Sequence, residues 1–192
     1  MEKTLPTTHL LIERLQTERL ELVPFTLPTA TAILEGKLEV LDDLGLQTDD
    51  RRPDTEALNT LPNIIRNLKL EARPTSFESW MIALRSNKTI IGDAGFKGLP
   101  NSSGEIDLGY AIIEEEQRKG YGFEAAHGLA KWALTQPEVK HITAKCLLAN
   151  TASARVLEKL GMRETHRDSE MIQWKFSKGH YKFLQAASPA LP

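Results

Sequence analysis

The sequence predicts an α+β fold, a mainly antiparallel sheet flanked by helices with one parallel crossover. Three observations lead there. Short runs with alternating apolar positions recur along the chain and read as strands. Longer segments with apolar residues three and four apart separate them and read as helices. The order is strand, two helices, three antiparallel strands, helix, strand, helix, strand, and its strand–helix–strand passage demands one parallel pairing. The 192 residues are 41% hydrophobic and 26% charged, which suits one domain with a sizeable core.

The elements follow in order. "TERLELVPF" (17–25) reads as a strand ended by Pro24, with Leu20 and Leu22 on one face and polar residues between. "TLPTATAILEGKLEVLDDLG" (26–45) reads as one helix carrying Ile33, Leu34, Leu38 and Leu41, with Pro28 near its start. "QTDDRRPDTE" is a polar surface loop, too short to separate distinct domains, and "TLPNIIRNLKLEA" (60–72) a second helix. The stretch 79–99 is a hairpin turning at "SNK", and "NSSG" turns into a third antiparallel strand, "EIDLGYAII" (105–113). Gly109 inside that strand suggests a bulge or a close backbone approach. A helix runs from about Gly122 to Thr135, packing through Phe123, Ala126, Ala130 and Ala133, and Pro137 ends it. "VKHITAKCLL" (139–148) is a strand. "NTASARVLEKLG" (150–161) is a helix capped by Asn150 or Thr151 and closed by Gly161. "EMIQWKF" (170–176) is the last strand.

Bulk properties exclude several classes. The net charge of −2 lacks the basic excess of a general nucleic-acid binder. One cysteine, Cys146, allows no intrachain disulfide framework, so a reducing, cytoplasmic setting is expected. Its place beside Ile142 and Ala144 reads as packing rather than as a nucleophile. The N-terminus lacks the pattern of a signal peptide, and no window approaches a membrane span. His127 and His141 have no partners at ligand spacing, so no metal is expected.

The segment "EEEQRKGYGFEAAH" (114–127) stands between a strand and a helix. It reads either as a solvated turn or as an anion cradle. A helix N-terminus offers unpaired N–H donors and the positive end of its dipole. Gly120 and Gly122 permit φ > 0 and close approach. Arg118 and Lys119 add charge. A Walker loop is excluded because Phe123 and Glu124 follow the second glycine. A dinucleotide fingerprint is excluded because Gly128 comes one residue too late.

In this context "QRKGYG" (117–122) resembles the Q/R-x-x-G-x-G/A pattern of the GNAT N-acetyltransferases. "TERLELVPF" is similar to the opening strand of the branch that acetylates ribosomal-protein N-termini (RimJ/RimL-like). "IDLGYAI" resembles the strand before the loop, and "NTASARVLEKLGM" resembles the later capped helix, with Met162 for the usual Phe. The resemblance covers one domain at 15–180, leaving 1–14 and 181–192 as terminal extensions. It implies a seven-stranded sheet with about four helices, splayed between its fourth and fifth strands by a bulge near Gly109 and Tyr110. It implies acetyl-CoA as co-substrate, with the pyrophosphate on Gln117, Arg118, Lys119, Gly120, Tyr121 and Gly122. The pantetheine arm would pair with Ile112 and Ile113, and Asn150, Ser153 and Arg155 would line its other side.

The implied reaction is direct attack of a neutral amine on the thioester. A backbone N–H of 109–113 would serve the oxyanion. Ser153 is the first candidate to steady the leaving thiolate, although a serine in a first helical turn also caps. Tyr110 is a second donor. Asp107 and Glu105, on one strand face, are candidate bases or cation-binding carboxylates. The acceptor is a peptide N-terminus or a small amine (amino acid, polyamine or antibiotic), its site walled by 42–75. A non-catalytic acyl-CoA-binding regulator uses the same fold. No membrane or direct nucleic-acid partner is expected, and the chain is expected to be a monomer or homodimer.

Overall fold

The computed structural model describes residues 13–48, 55–70 and 75–179. One eight-stranded sheet carries the fold, in the spatial order β1-β2-β3-β4-β5-β6-β8-β7. The strands are β1 (Leu15–Gln16), β2 (Leu20–Pro24), β3 (Ser79–Leu84), β4 (Ile90–Phe96), β5 (Glu105–Ile112), β6 (His141–Leu147), β7 (Arg163–Arg167) and β8 (Met171–Ser177). The helices are α1 (Leu27–Leu34), α2 (Thr55–Leu70), α3 (Tyr121–Ala133) and α4 (Thr151–Lys159). All strand pairs are antiparallel except β5 with β6, which is the expected crossover.

The sheet has two unequal faces. On one, α3 and α4 pack against Leu22, Trp80, Phe96, Leu108, Ile142 and Trp174. On the other, α1, a 3₁₀ segment (Leu38–Leu44) and α2 cover only the N-terminal half, around Val23, Met81 and Ala83. Ala125 and Leu129 take core positions on α3, while Phe123 and Ala130 are only half-buried. Cys146 is buried and accepts a hydrogen bond from Trp174 Nε1 at 3.3 Å, so packing explains it. On the described residues no helix is long and apolar enough to cross a membrane.

Several expectations need correction. The single helix at 26–45 is two segments, because Gly36 adopts φ +76° after α1 and Gly45 (φ +63°) closes the 3₁₀ turn. The second helix begins earlier, at Thr55, and accommodates Pro62 on its exposed side; the expected end at 71–72 lies outside the described residues. So do the terminal extensions apart from Glu13 and Arg14, and most of the 47–56 loop. Two strands were not expected, the short β1 and the fully exposed β7, which pairs with β8 through charged and polar residues. A charged strand suits a sheet edge.

The splay lies between β5 and β6, as expected, but its cause differs. β5 pairs with β4 from Leu108 to Ile112 without a register shift, so there is no bulge at Gly109 or Tyr110. β5 meets β6 only over Glu105–Asp107. Beyond Asp107 the strands diverge, and the gap is spanned by Tyr110 reaching α4. The sheet's register shifts fall elsewhere, at Ile82/Ala83 and Glu164/His166.

Glu21, expected on a polar strand face, is 2% exposed. Lys88 Nζ donates to its Oε2 at 2.7 Å, and Arg14 lies 3.0 Å from Oε1. Burial alone would raise its pKa, but the hydrogen bonds and charges of Lys88 and Arg14 together bring it below the ordinary glutamate value. A depressed folded-state pKa contributes stability above the unfolded value, near 4.3, that is lost as pH falls through the folded pKa. Glu21→Ala is expected to cost about 1.5–3 kcal/mol at neutral pH, read by urea denaturation. The variant should also lose less stability than the parent between neutral pH and about pH 3.

Candidate active site

After β5 the chain makes a 3₁₀ turn at Glu114–Glu116, passes Gln117 in extended conformation and enters α3 at Tyr121. Arg118 (φ +61°) and Gly120 (φ +87°) are left-handed; Gly122 is not, and belongs to the helix. It packs beside the Tyr110 ring, where a Cβ would make an ordinary van der Waals contact at 3.5 Å. Gly120 is the N-cap of α3 and no side chain caps that helix. Its first N–H groups and positive dipole end therefore stand open to an anion. Glu114 and Glu115 are exposed, as a solvent-side rim requires, whereas Glu116 turns in to pair with Lys119 at 2.8 Å. Arg118 and Lys119 are exposed, and Tyr121 is half-buried.

The exposed strand edge differs in detail from expectation. Ile113 N–H donates to Ile91 O at 3.0 Å, and Lys97 N–H to Asp107 O at 3.0 Å. Alternation in an antiparallel pair then turns the odd-numbered backbone groups toward β4 and those of Leu108, Tyr110 and Ile112 toward the splay. Ile112 can pair with an extended ligand and Ile113 cannot. The Ile112 carbonyl accepts from Gln117 Nε2 at 2.8 Å, which leaves the N–H groups of Tyr110 and Ile112 as the donors on this edge.

Across the gap, Tyr110 Oη lies 3.0 Å from Ser153 Oγ and 3.3 Å from the Ser153 carbonyl oxygen. The fold thus places two hydroxyls together at the mouth of the splay. Burial pushes the Tyr110 pKa up, against the hydrogen bond to Ser153. Asn150 caps α4, its Oδ1 accepting from Ser153 N–H at 2.9 Å, so its carbonyl oxygen serves the helix. Arg155 is exposed on α4. Glu105 and Asp107 do share a face, but lysines engage both: Lys175 holds Glu105, and Lys97 lies 2.7 Å from Asp107 Oδ2. Lys175 foremost, against a smaller burial effect, lowers the Glu105 pKa. Among the described residues no three His, Cys, Asp or Glu side chains gather to hold a metal ion.

Three residues escaped the sequence reading. Arg19 and Glu124 form a 2.7 Å ion pair beside the loop. Asp93 lines a cavity of about 80 Å³ on the other face, walled by Phe25, Leu41, Leu61, Met81 and Ile113. It is the one carboxylate among the described lining residues. An acid isolated in the apolar run "IIGDAGF" was the available signal. Arg19 gave none.

This arrangement has counterparts among known proteins. Residues 19–163 match the acetyltransferase (GNAT) domain. The N-acetyltransferase YjdG of Bacillus subtilis (strain 168), itself uncharacterized, is 34% identical over 83% of this chain and 95% of its own. Solved structures share the fold at lower identity. A RimL ribosomal L7/L12 α-N-protein acetyltransferase in complex with coenzyme A is 16% identical, with a TM-score of 0.64 over 86% of this chain and 98% of its own. The ribosomal-protein-S5-alanine acetyltransferase of Vibrio fischeri is 16% identical, with a TM-score of 0.60 over 86% and 96%. The extent of the domain match and the identity to YjdG establish that this chain belongs to the GNAT family of acetyl-transfer enzymes.

Proposed function

We propose that this enzyme, as a single domain over 15–180, transfers an acetyl group from acetyl-CoA to a primary amine, with a protein N-terminal α-amine as the favoured acceptor. One observation carries the reading. An uncapped helix N-terminus, an unpaired strand edge and a hydroxyl pair all face one opening. The pyrophosphate would take the N–H groups around Gly120–Gly122, and the pantetheine amides the edge at Tyr110 and Ile112. Arg118, Lys119 and Arg155 would add charge toward the nucleotide. The setting is cytoplasmic.

Acetyl-CoA supplies the activated thioester. The amine nitrogen forms a bond to the carbonyl carbon, the C–S bond breaks, and sulfur leaves with the electron pair. With the Ile112 N–H taken by a pantetheine amide, the Tyr110 N–H would donate to the carbonyl oxygen as charge develops. The Ser153–Tyr110 pair would donate to the departing sulfur. The amine proton leaves to water, with Asp107 nearest the splay to receive it. Lys175 lowers the Glu105 pKa and so weakens it as a base, while Asp107 pairs with Lys97. An α-amine needs little help: with a pKa near 8 it is roughly a quarter neutral at about pH 7.5, against about 0.1% for a lysine.

The acceptor would enter from the α1–α2 side, where the apolar cavity beside Asp93 takes a short side chain. Its 80 Å³ is about half the ~150 Å³ of an engineered cavity that admits benzene. The two solved relatives named for ribosomal proteins support a peptide acceptor. The small cavity keeps a small amine as the second reading.

The experiment presents acetyl-CoA with peptides and small amines and follows free thiol. Release is expected with peptides whose first residue is small or apolar. Binding of acetyl-CoA without release from any acceptor would overturn the reading. Ser153→Ala should lower kcat by about 10²-fold with acetyl-CoA affinity retained, the low end for loss of one donor to developing charge; an unchanged kcat removes its role. Gly120→Asp should abolish measurable acetyl-CoA binding, because it places a carboxylate in the cradle and a side chain at φ +87°.

A further inference from the structure

The anion loop is gripped from outside by the turn between β1 and β2. Arg19 Nη1 donates to Lys119 O at 3.0 Å. The guanidinium carbon stands 4.5 Å from the centroid of the Tyr121 ring. Nη2 lies 3.3 Å from where a Cβ on Gly120 would sit. One planar group therefore touches three consecutive residues at the entry to α3. It is itself held, because Arg19 Nε and backbone N–H each reach Glu124, at 2.7 Å to Oε2 and 2.7 Å to Oε1. Thr17 Oγ1 adds a third donor to Oε1 at 2.6 Å.

Two features of the loop call for such a grip. Arg118 is left-handed, a conformation that persists in a non-glycine residue only where the surroundings over-determine it. Glu124 in the first turn of α3 favours the helix dipole but would repel an anion bound at the same N-terminus. Arg19 neutralises that carboxylate and, with Thr17, occupies both of its oxygens.

We propose that Thr17, Arg19 and Glu124 are positioning residues, a clamp that fixes Lys119–Tyr121 in the conformation that binds the cofactor's diphosphate. The proposal rests on the reading of Gln117–Gly122 as the diphosphate cradle. The clamp works by geometry and not by the charge of Arg19 alone. Only a guanidinium fork can meet Glu124 and the Lys119 carbonyl together while stacking on Tyr121; a lysine ammonium keeps the charge and loses the fork.

The test titrates the full chain, without acceptor, with acetyl-CoA and with acetyl-pantetheine, which carries the same thioester and no diphosphate. The parent protein should prefer acetyl-CoA strongly; equal binding of the two would sink the cradle reading itself. Given that preference, Arg19→Met and Arg19→Lys should each weaken acetyl-CoA about tenfold and leave acetyl-pantetheine within twofold. Equal weakening of both ligands would reduce Arg19 to general structural support and overturn the clamp. Parent-like acetyl-CoA binding in Arg19→Lys would overturn it too, in favour of bare charge. Should Arg19→Met not fold, Arg19→Lys and Thr17→Val give the same ratio from milder changes, with the same outcomes deciding.

Discussion

The functional end of this molecule depends on one failure of pairing. β5 keeps β4 from Leu108 to Ile112 but holds β6 for only three residue pairs, Glu105–Asp107 against His141–Thr143. Had the ladder continued, the backbone groups of Tyr110 and Ile112 would be spent inside the sheet. Because it stops, a strand edge lies open within the fold rather than at its rim, where unpaired edges invite aggregation. The outer edges are treated otherwise: β7 is charged and β1 is two residues long. α4 keeps the opening in shape. Its start is fixed by the Asn150 cap, and its end by a left-handed Gly161 with Met162 N–H on Leu157 O and Gly161 N–H on Glu158 O.

Charge near the opening is arranged so that acids do not face it. Glu116 is held by Lys119, Glu124 by Arg19, Asp107 by Lys97 and Glu105 by Lys175. A chain of net charge −2 can thus offer a locally favourable site to an anion without a basic patch. The attraction would come from N–H groups and a helix dipole, which act within the first turn of the helix.

How far the sequence could be read follows from the range of each interaction. α4 was legible because its cap, its apolar spacing and its terminal glycine are all local. So were the β3–β4 hairpin and the loop from Gln117 to Gly122. Glu21 was misread because its partners, Arg14 and Lys88, lie on other segments, and alternation assigns a polar residue to solvent by default. β7 was missed because a strand of "RETHR" has no apolar period and exists through its pairing with β8. The break at Gly36 was visible as a glycine, yet apolar spacing continued across it and outvoted it. Ile113 was taken for an edge residue because the direction of an N–H depends on register, which only the partner strand sets.

The hydroxyl pair at the mouth narrows what proton handling can mean in the proposed reaction. A thiol ordinarily has a pKa near 8.5 and a tyrosine near 10. Burial pushes Tyr110 higher still. Full transfer of its proton to a thiolate would therefore run uphill. Tyr110 stays protonated at neutral pH and is suited to donate a hydrogen bond to developing charge, not to give the proton away. Ser153, a weaker acid again, passes that donation on through its own hydroxyl, 3.0 Å from Tyr110. The pair would then stabilise sulfur while the C–S bond breaks, and solvent would complete the protonation once the thiolate leaves the splay. On this account the two hydroxyls work as one unit, so removing both should cost little more than removing the first.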